Sequence, residues 1–236
     1  MHEAFAESLL EGARQVGVAI SAAQADLMAR HARHVLDNNV QAGLTEITGT
    51  EAMAIKHYVD SLTCLHLVKA GESLVDVGAG AGFPGIPLKI MEPSIHLTLL
   101  ESSVKKARFL EDTLAHIGLP GRVVNMRTED YGRDAGRESF DVAVARAVAK
   151  MRVLSEYCLG LVRVGGLFIA MKGPAPHQEV SEATRAMRLM GGRLQGIETL
   201  DLPSGYGARS LVLVRKVSPS SSGYPRNAGM ATKNPL

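Results

Sequence analysis

The stretch Ser73-Leu74-Val75-Asp76-Val77-Gly78-Ala79-Gly80-Ala81-Gly82-Phe83-Pro84-Gly85 decides how this chain is read. An apolar run ending in glycines at alternate positions, Gly78, Gly80 and Gly82, predicts a strand, a tight turn and the start of a helix. Glycine adopts backbone angles that other residues avoid, and its missing side chain lets a ligand approach the main chain. Amides left unpaired at the start of the next helix favour polar or anionic groups. The pattern points to a nucleotide-like ligand, with Asp76 either a hydrogen-bond acceptor for the loop or a ligand contact.

A partner for the ribose follows downstream. Residues 95–100 read as a second strand, closed by Glu101. An acidic residue about 20 residues past the glycines accepts hydrogen bonds from ribose hydroxyls. NAD and S-adenosylmethionine both carry adenosine, so the glycines and Glu101 fit either one.

Outward from this core, the chain alternates strands and helices, the pattern of a mainly parallel sheet covered on both faces. Strands are predicted at 73–77, 96–100, 122–126, 140–145, 167–171, 194–200 and 210–215. Val104, Ala107, Leu110, Leu114 and Ile117 form an apolar helical stripe that Gly118 ends. The first 70 residues read as helical. Ser21 and Gln24 have capping-box spacing, as do Thr48 and Glu51, the second pair opening a helix through about Val68. His31 and His34, beside Arg30 and Arg33, read as a solvated face. From Val217 onward the chain is rich in Ser, Pro and Gly, a composition that predicts disorder. The expected organisation is an N-terminal helical extension at 1–70, a main domain at 71–217 and a tail at 218–236.

In 236 residues there is enough chain for one well-buried α/β core plus an appendage. The net charge of +2 gives no global field, so any nucleic-acid surface must be a local patch. Cys64 and Cys158 are far apart and outside any pairing motif, which favours free thiols in a reducing compartment. No apolar stretch is long enough to span a bilayer, and no basic-then-apolar signal opens the chain. A cytoplasmic monomer without a membrane partner is the expectation. No His, Cys and acid cluster has metal-ligand spacing, so no metal is predicted.

The residues 76–88, Asp-Val-Gly-Ala-Gly-Ala-Gly-Phe-Pro-Gly-Ile-Pro-Leu, resemble the cofactor loop of the glucose-inhibited division protein B family. Four more segments are similar to that family: 56–62, 140–149 with its Ala-Arg-Ala-Val-Ala run, 171–173, and the Tyr-Pro-Arg-Asn-Ala-Gly of 224–229. These are bacterial methyltransferases that make 7-methylguanosine in 16S ribosomal RNA. The resemblance implies a class I S-adenosylmethionine-dependent methyltransferase fold, Rossmann-like, with a mainly parallel seven-stranded sheet and an N-terminal helical extension. It also implies S-adenosylmethionine as cofactor, 16S rRNA or the small ribosomal subunit as partner, and a tail that orders on the body or on RNA. Gly78, Phe83, Thr128 and Glu129 would contact the cofactor through backbone, Glu101 would hold its ribose, and the Arg146 side chain would join the site. The sequence departs from the family at Gly43, where asparagine is common, at Lys56, usually arginine, and at Glu101, commonly aspartate.

The chemistry is consistent with that resemblance. Guanine N7 has a free lone pair and no proton to lose, so direct displacement at a sulfonium methyl needs no general base; positioning dominates. Arg146, between Val144 and Val148, is the catalytic candidate. Lys105, Lys106, Lys172, Arg209 and Arg226 are candidates for RNA contact, and His57, one helical turn from Asp60, for shaping the site. With five Phe, five Tyr and no Trp, a stacking platform for single strands is not expected. Two rival readings are an NAD-dependent oxidoreductase and a noncatalytic RNA-binding protein of ribosome assembly. A binding module alone has no need of Glu101, Glu129 and Arg146 together.

Overall fold

The computed structural model describes residues 2–236. Seven strands form one sheet: β1 (Ser73–Val77), β2 (His96–Leu100), β3 (Arg122–Val124), β4 (Phe140–Arg146), β5 (Val162–Lys172), β6 (Gly192–Asp201) and β7 (Ala208–Lys216). Their order is β3-β2-β1-β4-β5-β7-β6. The first five strands pair in parallel, and β7 pairs antiparallel with both β5 and β6. Chain order reverses between β1 and β4, and a crevice opens at the carboxyl ends of such strands. All seven predicted strands exist, and their ends differ for local reasons. β5 starts at Val162 because Gly165, at φ 86°, carries the chain through an irregularity where a breaker was expected. β3 stops at Val124, since the Asn125 amide turns to donate to the Glu101 carbonyl at 2.8 Å.

Side chains along β1 alternate between two cores, as a period of two requires. Leu74 faces one core and Val75 and Val77 the other. The helices His2–Gln15 and Ala22–Ala42 cover the Leu74 face, where Phe5, Leu9, Met28 and Val35 share a core with Leu97 and Leu99. The Ser21 hydroxyl and the Gln24 side chain close the predicted capping box. The second box does not form: Gly49 is the cap, without a side-chain bond. The helix that follows runs as α through Thr50–Met53, widens to π over Ala54–Val59 and closes at Asp60–Leu62. π turns displace backbone carbonyls from their regular partners. Here that leaves the Lys56 and His57 carbonyls facing the end of β4.

Two expectations are corrected. His31 is fully buried rather than solvated, because the helix Ala22–Ala42 packs directly on the glycine turn. Its Nε2 lies 2.9 Å from the Ala81 carbonyl and its Nδ1 2.9 Å from the Tyr58 hydroxyl. A carbonyl only accepts, so Nε2 carries the proton and Tyr58 donates to Nδ1. His34 stacks between Phe109 and His116.

The composition of the tail gives the second correction: it argues for disorder, yet the segment packs on the body, one of the two outcomes its family-like motif implied. Arg226, a candidate for RNA contact, grips Glu156, which is fully buried: Nε to Oε1 at 3.0 Å and Nη2 to Oε2 at 2.6 Å. Its own N–H adds a third bond at 2.7 Å. Lys216, also fully buried, donates to the Leu159 and Met190 carbonyls and binds Glu138 at 3.0 Å. A single buried carboxylate left unpaired is costly enough to order a short segment. Arg226→Ala is therefore expected to lower folding stability by about 3–5 kcal/mol, as measured by urea unfolding.

Candidate active site

The crevice between β1 and β4 contains a cleft of about 550 Å³. Gly78 and Gly80 of the turn, Phe83, His57, Asp60, Lys106, Arg146, Lys172 and Arg209 line it together. The turn itself is built by backbone angles, with φ of 71°, 58° and 95° at Gly78, Gly80 and Gly82. A Cβ on Gly80 would meet only the Gly78 carbonyl oxygen, at 3.8 Å, so the space over the turn is open to a ligand. At Gly85 the constraint is packing: a Cβ would strike Asp76 Oδ2 at 2.8 Å and Leu99 Cδ2 at 2.9 Å.

Two carboxylates organise this loop. Glu101 accepts from the Gly80 N–H at 3.0 Å and the Ser103 N–H at 2.8 Å, one on each oxygen. A carboxylate has about four acceptor positions, so lone pairs remain for two ribose hydroxyls. The residues present thus fit an adenosine-bearing cofactor. Asp76 is fully buried beneath the turn, its Oδ2 accepting from the Gly85 N–H at 2.8 Å. Of its two sequence readings, the loop acceptor is the one whose bond is formed. Burial pushes its carboxyl up to about 7.

Arg146 lies at the end of β4, where its Nη1 donates to the Lys56 carbonyl at 3.1 Å, the His57 carbonyl at 3.2 Å and Asp60 Oδ2 at 3.0 Å. The Arg209 Nε, on β7, is 3.2 Å from the other Asp60 oxygen. One buried carboxylate therefore holds two arginines from distant strands. The Arg146 guanidinium also sits 5.2 Å from the centre of the Phe83 ring, over which it gains a cation–π contact. His57 stacks on Phe83 at 4.5 Å with the rings 8° apart. Its Nδ1 faces Arg146 Nη2 at 3.3 Å, and its Nε2 is 2.7 Å from the Thr45 hydroxyl. Arginine cannot accept, so Nδ1 is the acceptor and Nε2–H donates to Thr45.

The remaining candidates are dispersed. Lys105 is exposed on the helix Val104–Ile117, while Lys106 reaches the cleft. Lys172 holds the Ala149 carbonyl and Glu179, both at 2.7 Å. Thr128 opens the helix Thr128–Arg133 directly after β3. The Glu129 side chain is buried and turned to the tail, with Oε1 accepting from the Gly229 N–H at 2.7 Å. Burial and the nearby Glu129 charge push the Tyr157 hydroxyl up to about 12. Thr45 and Ile47 belong to the cleft region and were not singled out in the sequence. Asn39 places that loop, its side chain accepting the Leu44 and Thr45 N–H groups at 2.9 Å. A short polar residue just past a helix end was the available signal.

Three buried groups set the response to acid. Burial lowers His31 to about 4, and burial followed by the Arg146 charge lowers His57 to about 3, both from 6.5. The folded state binds fewer protons there, so the stability of both is complete above pH 6.5 and falls as pH drops. Asp76, raised from 3.8 to about 7, has the opposite sign: its contribution is complete below pH 3.8 and fades toward pH 7. Near pH 5 the two imidazoles outweigh the one carboxyl, leaving a net loss of about 1 kcal/mol per unit of acidification. Urea unfolding measured at intervals between pH 4.5 and 6.0 checks the slope and its sign.

Comparisons with known proteins agree with this geometry. A family model described as rRNA small subunit methyltransferase G, GidB, matches residues 24–210. Ribosomal RNA small subunit methyltransferase G of Pelotomaculum thermopropionicum is 45% identical over 235 residues, covering 98% of this chain and 98% of that protein. The protein of the same name from Symbiobacterium thermophilum is 46% identical, covering 97% and 96%. Among solved structures, the precorrin-6y C5,15-methyltransferase of Geobacter metallireducens aligns at a TM-score of 0.51 and 15% identity, over 72% of this chain and 90% of that one. The TYW2 protein of M. jannaschii, solved in complex with AdoMet, aligns at 0.50 and 14% identity, over 66% and 74%. Those two likenesses concern the fold, whereas the sequence matches run through the glycine turn, Glu101 and Arg146 alike, and the chain belongs to the rRNA small subunit methyltransferase G family.

Proposed function

We propose that this S-adenosylmethionine-dependent methyltransferase methylates N7 of one guanine in 16S rRNA of the small ribosomal subunit, by direct in-line transfer without a general base. The class of enzyme and its cofactor follow from the family and fold, and they displace the NAD reading. The N7 position and the mechanism are our inference. When bound, the cofactor supplies an electrophilic methyl group on a positively charged sulfur. Glu101 would hold its ribose hydroxyls and the amides around Gly78 and Gly80 its polar end.

The observation that carries the proposal is that the histidine and carboxylate of the cleft, the groups that could act as a base, already have partners. His57 uses both ring nitrogens, on Arg146 and Thr45, and burial and charge hold it far below neutrality. Asp60 is held by Arg146 and Arg209. Lys172 is tied to Glu179. Such a site suits a nucleophile that brings its own lone pair and gives up no proton. The N7 pair forms the new N–C bond as the S–C pair returns to sulfur, and no proton moves. Guanine O6 lies beside N7 on the same edge and accepts hydrogen bonds from arginine or lysine. A cation contacting O6 alone would leave N7 open to the methyl group. Lys56, Lys106, Arg146 and Arg209 ring the cleft and suit that edge and the neighbouring phosphates.

Labelled methyl transfer to small subunits lacking the modification, with cleavage at 7-methylguanosine to map the product, tests this directly. Label at one guanine is expected; binding of S-adenosylhomocysteine without any label in that RNA would move the substrate elsewhere. Arg146→Ala is expected to reduce turnover by about a hundredfold, the scale of a misplaced reactant. Wild-type turnover in a stably folded Arg146→Ala variant would remove Arg146 from the chemistry.

A further inference from the structure

The tail resembles an RNA-contacting arm in the sequence, yet its bonds lead to the cofactor side of the sheet. Tyr224 is anchored by Arg137, which donates to its carbonyl at 2.6 Å, and Arg226 closes on buried Glu156. Ala231 is buried in the core with Met151 and Leu154, and Arg152 donates to the Pro235 carbonyl at 2.6 Å. The one arginine of the segment is turned inward to Glu156, while Lys233 stays exposed. Between Arg226 and Ala231, the Gly229 N–H reaches Glu129 Oε1 at 2.7 Å.

Glu129 sits in the first turn of the helix that leaves β3, beside Thr128. That strand end is joined to the ribose carboxylate: the Glu101 N–H donates to the Val124 carbonyl at 3.1 Å, and Asn125 donates to the Glu101 carbonyl at 2.8 Å. A continuous path of hydrogen bonds and one short turn therefore runs from Glu101 to Gly229. The Glu129 carboxylate faces the tail, with Oε1 accepting from the Gly229 N–H, so the tail bears directly on the backbone of Thr128 and Glu129 that the family resemblance assigns to the cofactor.

We propose that the segment Tyr224–Lys233 is a buttress of the cofactor's base subsite, with Glu129 and Arg226 as positioning residues, and not an arm that grips RNA. This rests on the cofactor placement given under Proposed function. Coupling between two sites is reciprocal, so a bound cofactor must steady the tail as much as the tail steadies the cofactor site.

Amide hydrogen exchange on the full chain, with and without S-adenosylhomocysteine, tests it. Exchange at Arg226 and Gly229 is expected to slow by about tenfold when that compound is bound, the range of ordinary coupling. A second variant, Arg226→Lys, keeps the cation but loses the two-pronged grip. Its KM for S-adenosylmethionine is expected to rise about tenfold, with the KM for small subunits unchanged. Unchanged tail exchange in a protein that does bind S-adenosylhomocysteine would overturn the proposal, as would a rise confined to the RNA KM. Failure of the wild-type chain to bind S-adenosylhomocysteine would instead bring down the cofactor placement, and the buttress with it.

Discussion

The Asp60 carboxylate, held between Arg146 and Arg209, is the contact on which the site depends. Arg146 ends β4, Arg209 belongs to β7, and Asp60 lies on the N-terminal helix past its π turn. Three segments far apart in sequence thus meet at one small group. Buried ion pairs recover their desolvation cost only when further hydrogen bonds complete them. Here the Lys56 and His57 carbonyls complete Arg146. Both carbonyls belong to the π turn, so a local irregularity of the helix lies where the site needs acceptors.

Around this contact, the aromatic cluster converts packing into orientation. Phe83 touches His57 face to face, Tyr58 edge to face and Arg146 through its guanidinium. His31 then links Tyr58 to the Ala81 carbonyl of the glycine turn. The cofactor loop is held from one side by Glu101 and Asp76 and from the other by the N-terminal helices. Those helices share the apolar core of the sheet, which explains why a segment outside the strand pattern bears on the cleft. Among the described residues, no helix is long and apolar enough to cross a membrane.

Much of this was legible from residues 73–101. Glycines at alternate positions after an apolar run have few structural uses, and the acid after the next strand narrows them further. All seven strands were found because short apolar runs alternating with helical segments need no knowledge of distant partners. The misses have a common cause. His31 read as solvated because its neighbours Arg30 and Arg33 are charged, yet a helix turns 100° per residue and adjacent positions face different ways. The Arg226 partner Glu156 was missed because a lone arginine in a polar tail carries no sign of a buried carboxylate 70 residues earlier.

The sequence by itself determined the sheet, the glycine turn, the acid that closes the second strand and, through its motifs, the family. These are encoded within windows shorter than about 30 residues, where spacing alone constrains the backbone. Only the tertiary structure decided which charges are free and which are spent. Asp60 joins two arginines, Glu129 turns to Gly229, and Glu156 orders a tail whose composition argues for disorder. Each of those outcomes depends on partners brought together by the fold, and desolvation makes the pairing obligatory once they are buried.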